Sequence, residues 1–113
     1  MTKNIIFILV FVLSVSGCAT SKANYGFKRP PAMVEPMFMS CDDMYNWSGL
    51  IMTDRQNGTS IVDASKKYKG LEKLVMAAYD VPAYDPNYLK KDAALKFATA
   101  FYKACYEAKH NNK

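Results

Sequence analysis

The chain has 113 residues and a mass of 12.7 kDa, with 15 Lys and Arg against 10 Asp and Glu. One small domain is all this length allows, which excludes a multidomain enzyme. The hydrophobic fraction of 50% is ordinary for a globular chain, but it is concentrated at the N-terminus.

Met1-Thr2-Lys3-Asn4 is a short, positively charged start, and Ile5 to Leu13 is an unbroken apolar run. Ser14-Val15-Ser16-Gly17 then leads to Cys18. This order predicts an export signal over residues 1–17. The apolar run is shorter than the roughly 20 residues that a membrane span takes.

The residues before Cys18 carry a resemblance. Val15-Ser16-Gly17-Cys18 resembles the lipobox of bacterial lipoproteins. The resemblance implies cleavage between Gly17 and Cys18, a diacylglyceryl thioether on Cys18 and acylation of the new N-terminus. Several acyl chains anchor stably where one gives marginal binding. Ala19 follows the Cys, and by the family's sorting rule the absence of Asp there implies the outer membrane. The expected location is its periplasmic face, or the cell surface in a cell with one membrane. The alternative is an ordinary secretory signal with Cys18 left as a thiol. The covalent lipid on Cys18 is the one non-protein group expected, with no cofactor and no metal.

Residues 18–39 hold Pro30, Pro31 and Pro36 and read as a Pro-containing tether, extended in part. It also carries Tyr25, Phe27, Met33, Met37, Phe38 and Met39, which a pure spacer does not need. These are expected either to pack back on the domain or to lie on a membrane surface beside Lys22, Lys28 and Arg29. As a spacer, the tether would hold the domain some tens of Å from the bilayer.

The folded part is expected over residues 40–109. Ser40-Cys41-Asp42-Asp43 fits a helix N-terminus with a capping box, and Asn57-Gly58 its stop. On a helical wheel Cys41, Met44, Tyr45, Trp47, Ser48, Ile51, Met52 and Arg55 share one arc, with Asp42, Asp43, Asn46, Asp54 and Gln56 opposite. Ser60-Ile61-Val62-Asp63 repeats the cap, predicting a second helix that ends near Gly70. A third covers Leu71 to Tyr79. Asp80-Val81-Pro82 to Pro86 breaks it, and Asp85 as N-cap with Pro86 behind it opens a last helix over 86–109. Its apolar arc holds Leu89, Ala93, Phe97, Ala100, Phe101, Ala104, Cys105 and Ala108, with Leu95, Tyr102 and Tyr106 as a second stripe. Residues 110–113 are expected to be a disordered tail. No strand alternation occurs. The fold class is therefore all-α, a small bundle of about four helices.

Of the three Cys, lipidation removes Cys18, leaving Cys41 and Cys105 in a compartment that permits disulfides. A bond between them spans the folded part and is worth about 4 kcal/mol by loop-closure arithmetic. A core of this size usually needs such a staple. A metal or redox pair is the other use of two Cys, but there is no CxxC, and the single His110 lies at the C-terminus.

Few residues suggest chemistry. Walker A, GxGxxG and HExxH are absent, and His110 in a tail is a poor partner for a triad. Asp80 and Asp85 flank a Pro loop where two carboxylates can do acid–base work or bind Ca²⁺, or simply cap helices. Arg55 within an apolar arc meets an anionic ligand, pairs with an acid such as Glu72, Asp80 or Asp85, or snorkels out to water. Tyr102 and Tyr106 suit a protein interface if the other helices leave them open. Lys66, Lys67, Lys69 and Lys73 cluster, as do Lys90 and Lys91. Loss of Lys3 with the signal lowers the formal charge from +5 to +4. Nucleic acid is not expected for an exported chain. Anionic lipid, lipopolysaccharide or peptidoglycan carboxylates are the available anions, and a plain solvated face is the alternative.

The residues Cys41, Arg55-Gln56-Asn57-Gly58, Ala78-Tyr79-Asp80-Val81-Pro82, Tyr84, Phe97 and Cys105 resemble small exported proteins of bacteria and prophages with one disulfide. That group implies no particular activity. The one-disulfide helical plan from Ser40-Cys41-Asp42-Asp43 is also similar to periplasmic acid-stress chaperones, from which the anchor and tether depart. Four functional expectations follow. The first is a non-catalytic envelope binding module meeting an envelope protein or peptidoglycan. The others are a prophage-type exclusion or inhibitor lipoprotein, an acid-stress chaperone, and a cell-wall processing accessory or enzyme using Arg55, Asp80 and Asp85. Oligomeric state is left open.

Overall fold

A computed structural model describes residues 25–31 and 39–111. The signal, Gly17 and Cys18, and Lys22, Met33, Met37 and Phe38 of the tether lie outside the described residues. Four helices follow in order: α1 Cys41–Gln56, α2 Ile61–Lys67, α3 Glu72–Tyr79 and α4 Asn87–Asn111. The described residues hold helices and no strands.

The helix ends sit where their side chains put them. Ser40 is extended (φ −68°, ψ 157°), and its hydroxyl accepts from the Asp43 N–H at 3.0 Å. Ser60 caps α2 in the same way through the Asp63 N–H. Each cap satisfies a donor that would otherwise lack a partner. At the far end of α1, the Gly58 N–H bonds Arg55 O and the Thr59 N–H bonds Asp54 O. This is a Schellman closure, and Gly58 supplies the φ of +93° it requires.

The last helix departs from expectation at both ends. Pro86 takes the cap position, since its carbonyl accepts from Leu89 and Lys90. Asp85 therefore lies one residue outside and is exposed. At the other end α4 continues past 109 through His110 and Asn111, so the stretch expected as a tail from 110 is helical there.

α1 is the centre of the bundle and packs against each of the other three helices, most extensively α4. It runs antiparallel to α4: Cys41 is bonded to Cys105, the Tyr45 ring meets Tyr102, and the Gln56 carbonyl accepts from Lys90. Because α1 is covered on several sides, its buried set is wider than one amphipathic arc. Gly49, Thr53 and Gln56 are buried along with Met44, Trp47, Ser48, Ile51 and Met52. Gln56, assigned by the wheel to the solvent side, is 1% exposed. The expected arc of α4 is met in part: Ala93, Phe97, Phe101 and Cys105 pack partly buried against the core. Ala94 and Ala98 are fully buried, while Ala100, Ala104 and Ala108 are exposed. Two alanines one turn apart let the helix axes approach closely, so the small residues mark the seam and the aromatics flank it. Trp47, Tyr68, Leu71, Leu74, Val75 and Ala78 complete the core from α1 and the α2–α3 hairpin.

The disulfide between Cys41 and Cys105 is formed, with 5.5 Å between the Cα atoms. It ties the start of α1 to α4 at the end of the bundle farthest from the α3–α4 loop.

Part of the expected tether belongs to the domain. Phe27 is 4% exposed, and Pro30 and Met39 are also buried. The Phe27 ring lies over Gly49, in the space a side chain there would occupy, and 5.4 Å from the Tyr45 ring. The Lys28 N–H donates to Asn46 Oδ1 at 3.0 Å, and the Arg29 guanidinium stands 5.7 Å from the Trp47 ring. Residues 25–31 thus form a strap along α1. Lys109 Nζ donates to the Met39 carbonyl and ties the entry to α1 to the end of α4.

Candidate functional site

The loop between α3 and α4, residues 80–86, is held by side chains from the end of α1. Gln56 reaches it with both ends of its amide: Nε2 donates to Pro82 O at 2.8 Å, and Oε1 accepts from the Tyr84 N–H at 2.9 Å. Arg55 Nε donates to Val81 O at 2.9 Å, while its guanidinium lies 5.0 Å from the Tyr79 ring centre. Lys90 Nζ donates to the Gln56 carbonyl at 2.6 Å. Backbone groups of Val81, Pro82 and Tyr84 that would otherwise depend on water are bonded to protein, which fixes the loop shape.

Beside this loop is a groove of about 480 Å³ walled by Val81, Tyr84, Leu89, Ala93 and Phe97, with Asp92 and Lys96 on its rim. The wall is mainly apolar, and the rim pair is joined at 3.0 Å across one helical turn. That pairing raises the Lys96 pKa through its hydrogen bond to Asp92. A shallow apolar trough with a few polar groups at the edge suits an apolar side chain or a small amphipathic ligand.

The sequence-derived binding residues among the described ones separate into two places. Arg55 is brought to the loop that carries Asp80 and Asp85, but its bonds go to the Val81 carbonyl and the Tyr79 ring. The expected carboxylate partner is replaced by backbone and aromatic acceptors, which suit a planar cation at a helix end. Asp80 is the exposed C-cap of α3, its own N–H bonded to Ala77 O. Among the described residues no group of three or more His, Cys, Asp or Glu is placed to hold a metal ion. Tyr102 and Tyr106 lie at the opposite end of α4, 37% and 49% exposed. They form a ladder in which Tyr45 meets Tyr102, Tyr102 stacks on Tyr106, and Tyr106 stacks on His110 at 3.9 Å. Cys18 and Gly17 lie outside the described residues.

The basic clusters are partly engaged. Lys67 pairs with Asp54 at 2.9 Å, and the same carboxylate accepts from the Tyr68 hydroxyl at 2.6 Å. Burial, reinforced by this bond and the Asp54 charge, pushes the Tyr68 pKa far above its ordinary value. Tyr79, whose hydroxyl donates to Thr59 O at 2.6 Å, is also raised, by burial first and then by Asp54.

Gln56 is the residue at this site that sequence reasoning missed. A Gln at the last turn of a helix, opposite the apolar arc, reads as solvated.

The fold and site define a four-helix, disulfide-closed domain with a pinned loop and groove at one end and an aromatic ladder at the other. The chain matches no protein-family model, no curated protein and no solved structure.

Proposed function

We propose that this is an exported, lipid-anchored envelope protein whose helical domain acts by binding a partner rather than by catalysis. Cys18 is the lipid site, residues 1–17 are removed, and the domain stands at the periplasmic face of the outer membrane or at the surface of a cell with one membrane. The observation that carries the reading is the Cys41–Cys105 bond. It accounts for two of the three cysteines with an oxidising compartment, and leaves Cys18 directly behind the apolar run and Val15-Ser16-Gly17.

The groove at Tyr84 and Phe97 is the binding locus in this reading. Its lining comes from one face of α4 and from the loop residues Val81 and Tyr84, and Gln56 and Arg55 set that loop, so little ordering is left for a partner to impose. An envelope protein presenting an apolar side chain, or a peptidoglycan peptide, fits its size and lining.

Two measurements test this. Metabolic labelling with a fatty acid should mark the wild-type chain and not Cys18→Ser. A photoreactive residue at Phe97 should crosslink a partner in intact cells, while one at the exposed Glu72 should not. Labelling that persists in Cys18→Ser, or turnover of an envelope substrate that survives without any crosslinked partner, overturns the reading.

A further inference from the structure

The strap changes how near a lipid on Cys18 would hold the domain. Among the described residues Tyr25 packs against the core and Phe27 is buried over Gly49. Only residues 19–24 lie between the acylated Cys18 and this docked segment. At a full extension of about 3.6 Å per residue they reach no more than about 25 Å. The domain would therefore be held by its strap edge beside the bilayer, and not on a spacer running to residue 39.

That edge is continuous with the aromatic ladder. Phe27 contacts Tyr45, Tyr45 contacts Tyr102, and Tyr102 and Tyr106 lead on to His110. The outer members are exposed. Tyrosine, with an apolar ring and a polar tip, is suited to the boundary between acyl chains and water. Exposed cations flank the same region, Lys28 and Arg29 on the strap and Lys103 and Lys109 on α4, against the carboxylates of Asp42 and Glu107. Cations beside an anionic leaflet add attraction.

We propose that the strap and the Tyr102–Tyr106–His110 face of α4 form a surface that lies on anionic phospholipid, orienting the groove at the opposite end of α4 away from the bilayer. This rests on acylation of Cys18 and deepens that reading.

The test uses the mature, acylated full chain in vesicles containing phosphatidylglycerol with brominated acyl chains. Trp47, the one tryptophan, is 1% exposed and supplies the baseline. Tyr106→Trp places a reporter on the proposed face, and Tyr88→Trp places one at the far end of α4, where Tyr88 is 72% exposed. Bromolipid should quench the added emission of Tyr106→Trp at least twofold more than that of Tyr88→Trp, and replacing phosphatidylglycerol with phosphatidylcholine should reduce the difference. Equal quenching of the two reporters, or quenching of Tyr106→Trp that is the same in both lipids, overturns the proposal. So does protection of Tyr106→Trp by a protein partner without quenching. Mass spectrometry of the same preparation separates the two readings. An unacylated Cys18 removes the anchor reading and this proposal together. An acylated Cys18 with equal quenching removes this proposal alone.

Discussion

Phe27 occupies the space that a side chain at Gly49 would need. A glycine in the middle of α1 costs about 1 kcal/mol of helix stability relative to alanine, so its presence there is explained by the ring that lies on it.

The pairing predicts a reversal of sign. Gly49→Ala should destabilise the wild-type chain by about 1 kcal/mol or more, because it displaces a buried Phe worth about 1.5–3 kcal/mol. In a Phe27→Ala background the same substitution should be neutral or stabilising. Chemical denaturation of the four members of this cycle checks it. A gain in stability from Gly49→Ala alone would show that the strap does not dock.

Gln56→Leu keeps the size of the side chain and removes its amide. The Pro82 carbonyl and Tyr84 N–H then exchange their partners for water, at a combined cost of about 1–3 kcal/mol. Hydrogen exchange at Tyr84 should accelerate more than exchange at Val75 in the core. Gln56→Glu should be no rescue, since a carboxylate can accept from Tyr84 but cannot donate to Pro82.

The end signals of α1 and α2 were legible in the sequence because a cap is local: Ser40 and Ser60 act on backbone three residues away. The disulfide was legible by elimination among three cysteines. Gln56 was not, because a wheel assumes one solvent face and α1 is covered by α2, α3, α4 and the strap. The seam of α4 was legible in part. Ala93, Phe97 and Phe101 of the expected arc pack against the core, but close approach puts the alanine pair Ala94 and Ala98 at its centre, where a wheel weighted by large apolar residues does not look. Arg55 stood out in its apolar arc, but its acceptor is a backbone carbonyl, which no side-chain pattern encodes. The tether residues Tyr25, Phe27 and Met39 were visible as misfits in a spacer, yet the seat of Phe27 depends on Gly49 and Tyr45, which are distant in sequence.

Alkaline pH should expose the raised tyrosines. Tyr68 and Tyr79 hold their protons in the folded chain above the ordinary value of 10.0. Above that pH the unfolded chain releases protons that the folded chain keeps, so stability falls as pH rises, by at most about 1.4 kcal/mol per pH unit for Tyr68 and by less for the more exposed Tyr79. Below it their contribution is constant. Tyr68→Phe should cost about 1 kcal/mol at pH 7 through the lost bond to Asp54, but should lose less stability than the wild type between pH 10 and pH 11. Equal alkaline slopes would contradict the burial of the Tyr68 hydroxyl.

Opening the Cys41–Cys105 link should lower stability by about 4 kcal/mol. The paired variant Cys41→Ser with Cys105→Ser should melt well below the wild type in oxidising buffer and like it under reductant. A variant as stable as the wild type would mean that the helices close without their staple.

The intact mass of the chain extracted from cell membranes tests the central claim most directly. The account predicts residues 18–113 carrying a diacylglyceryl group and an N-terminal acyl group on Cys18, and two hydrogens fewer than the fully reduced form. A mass that retains residues 1–17, an unmodified Cys18, or free thiols at Cys41 and Cys105 would contradict it.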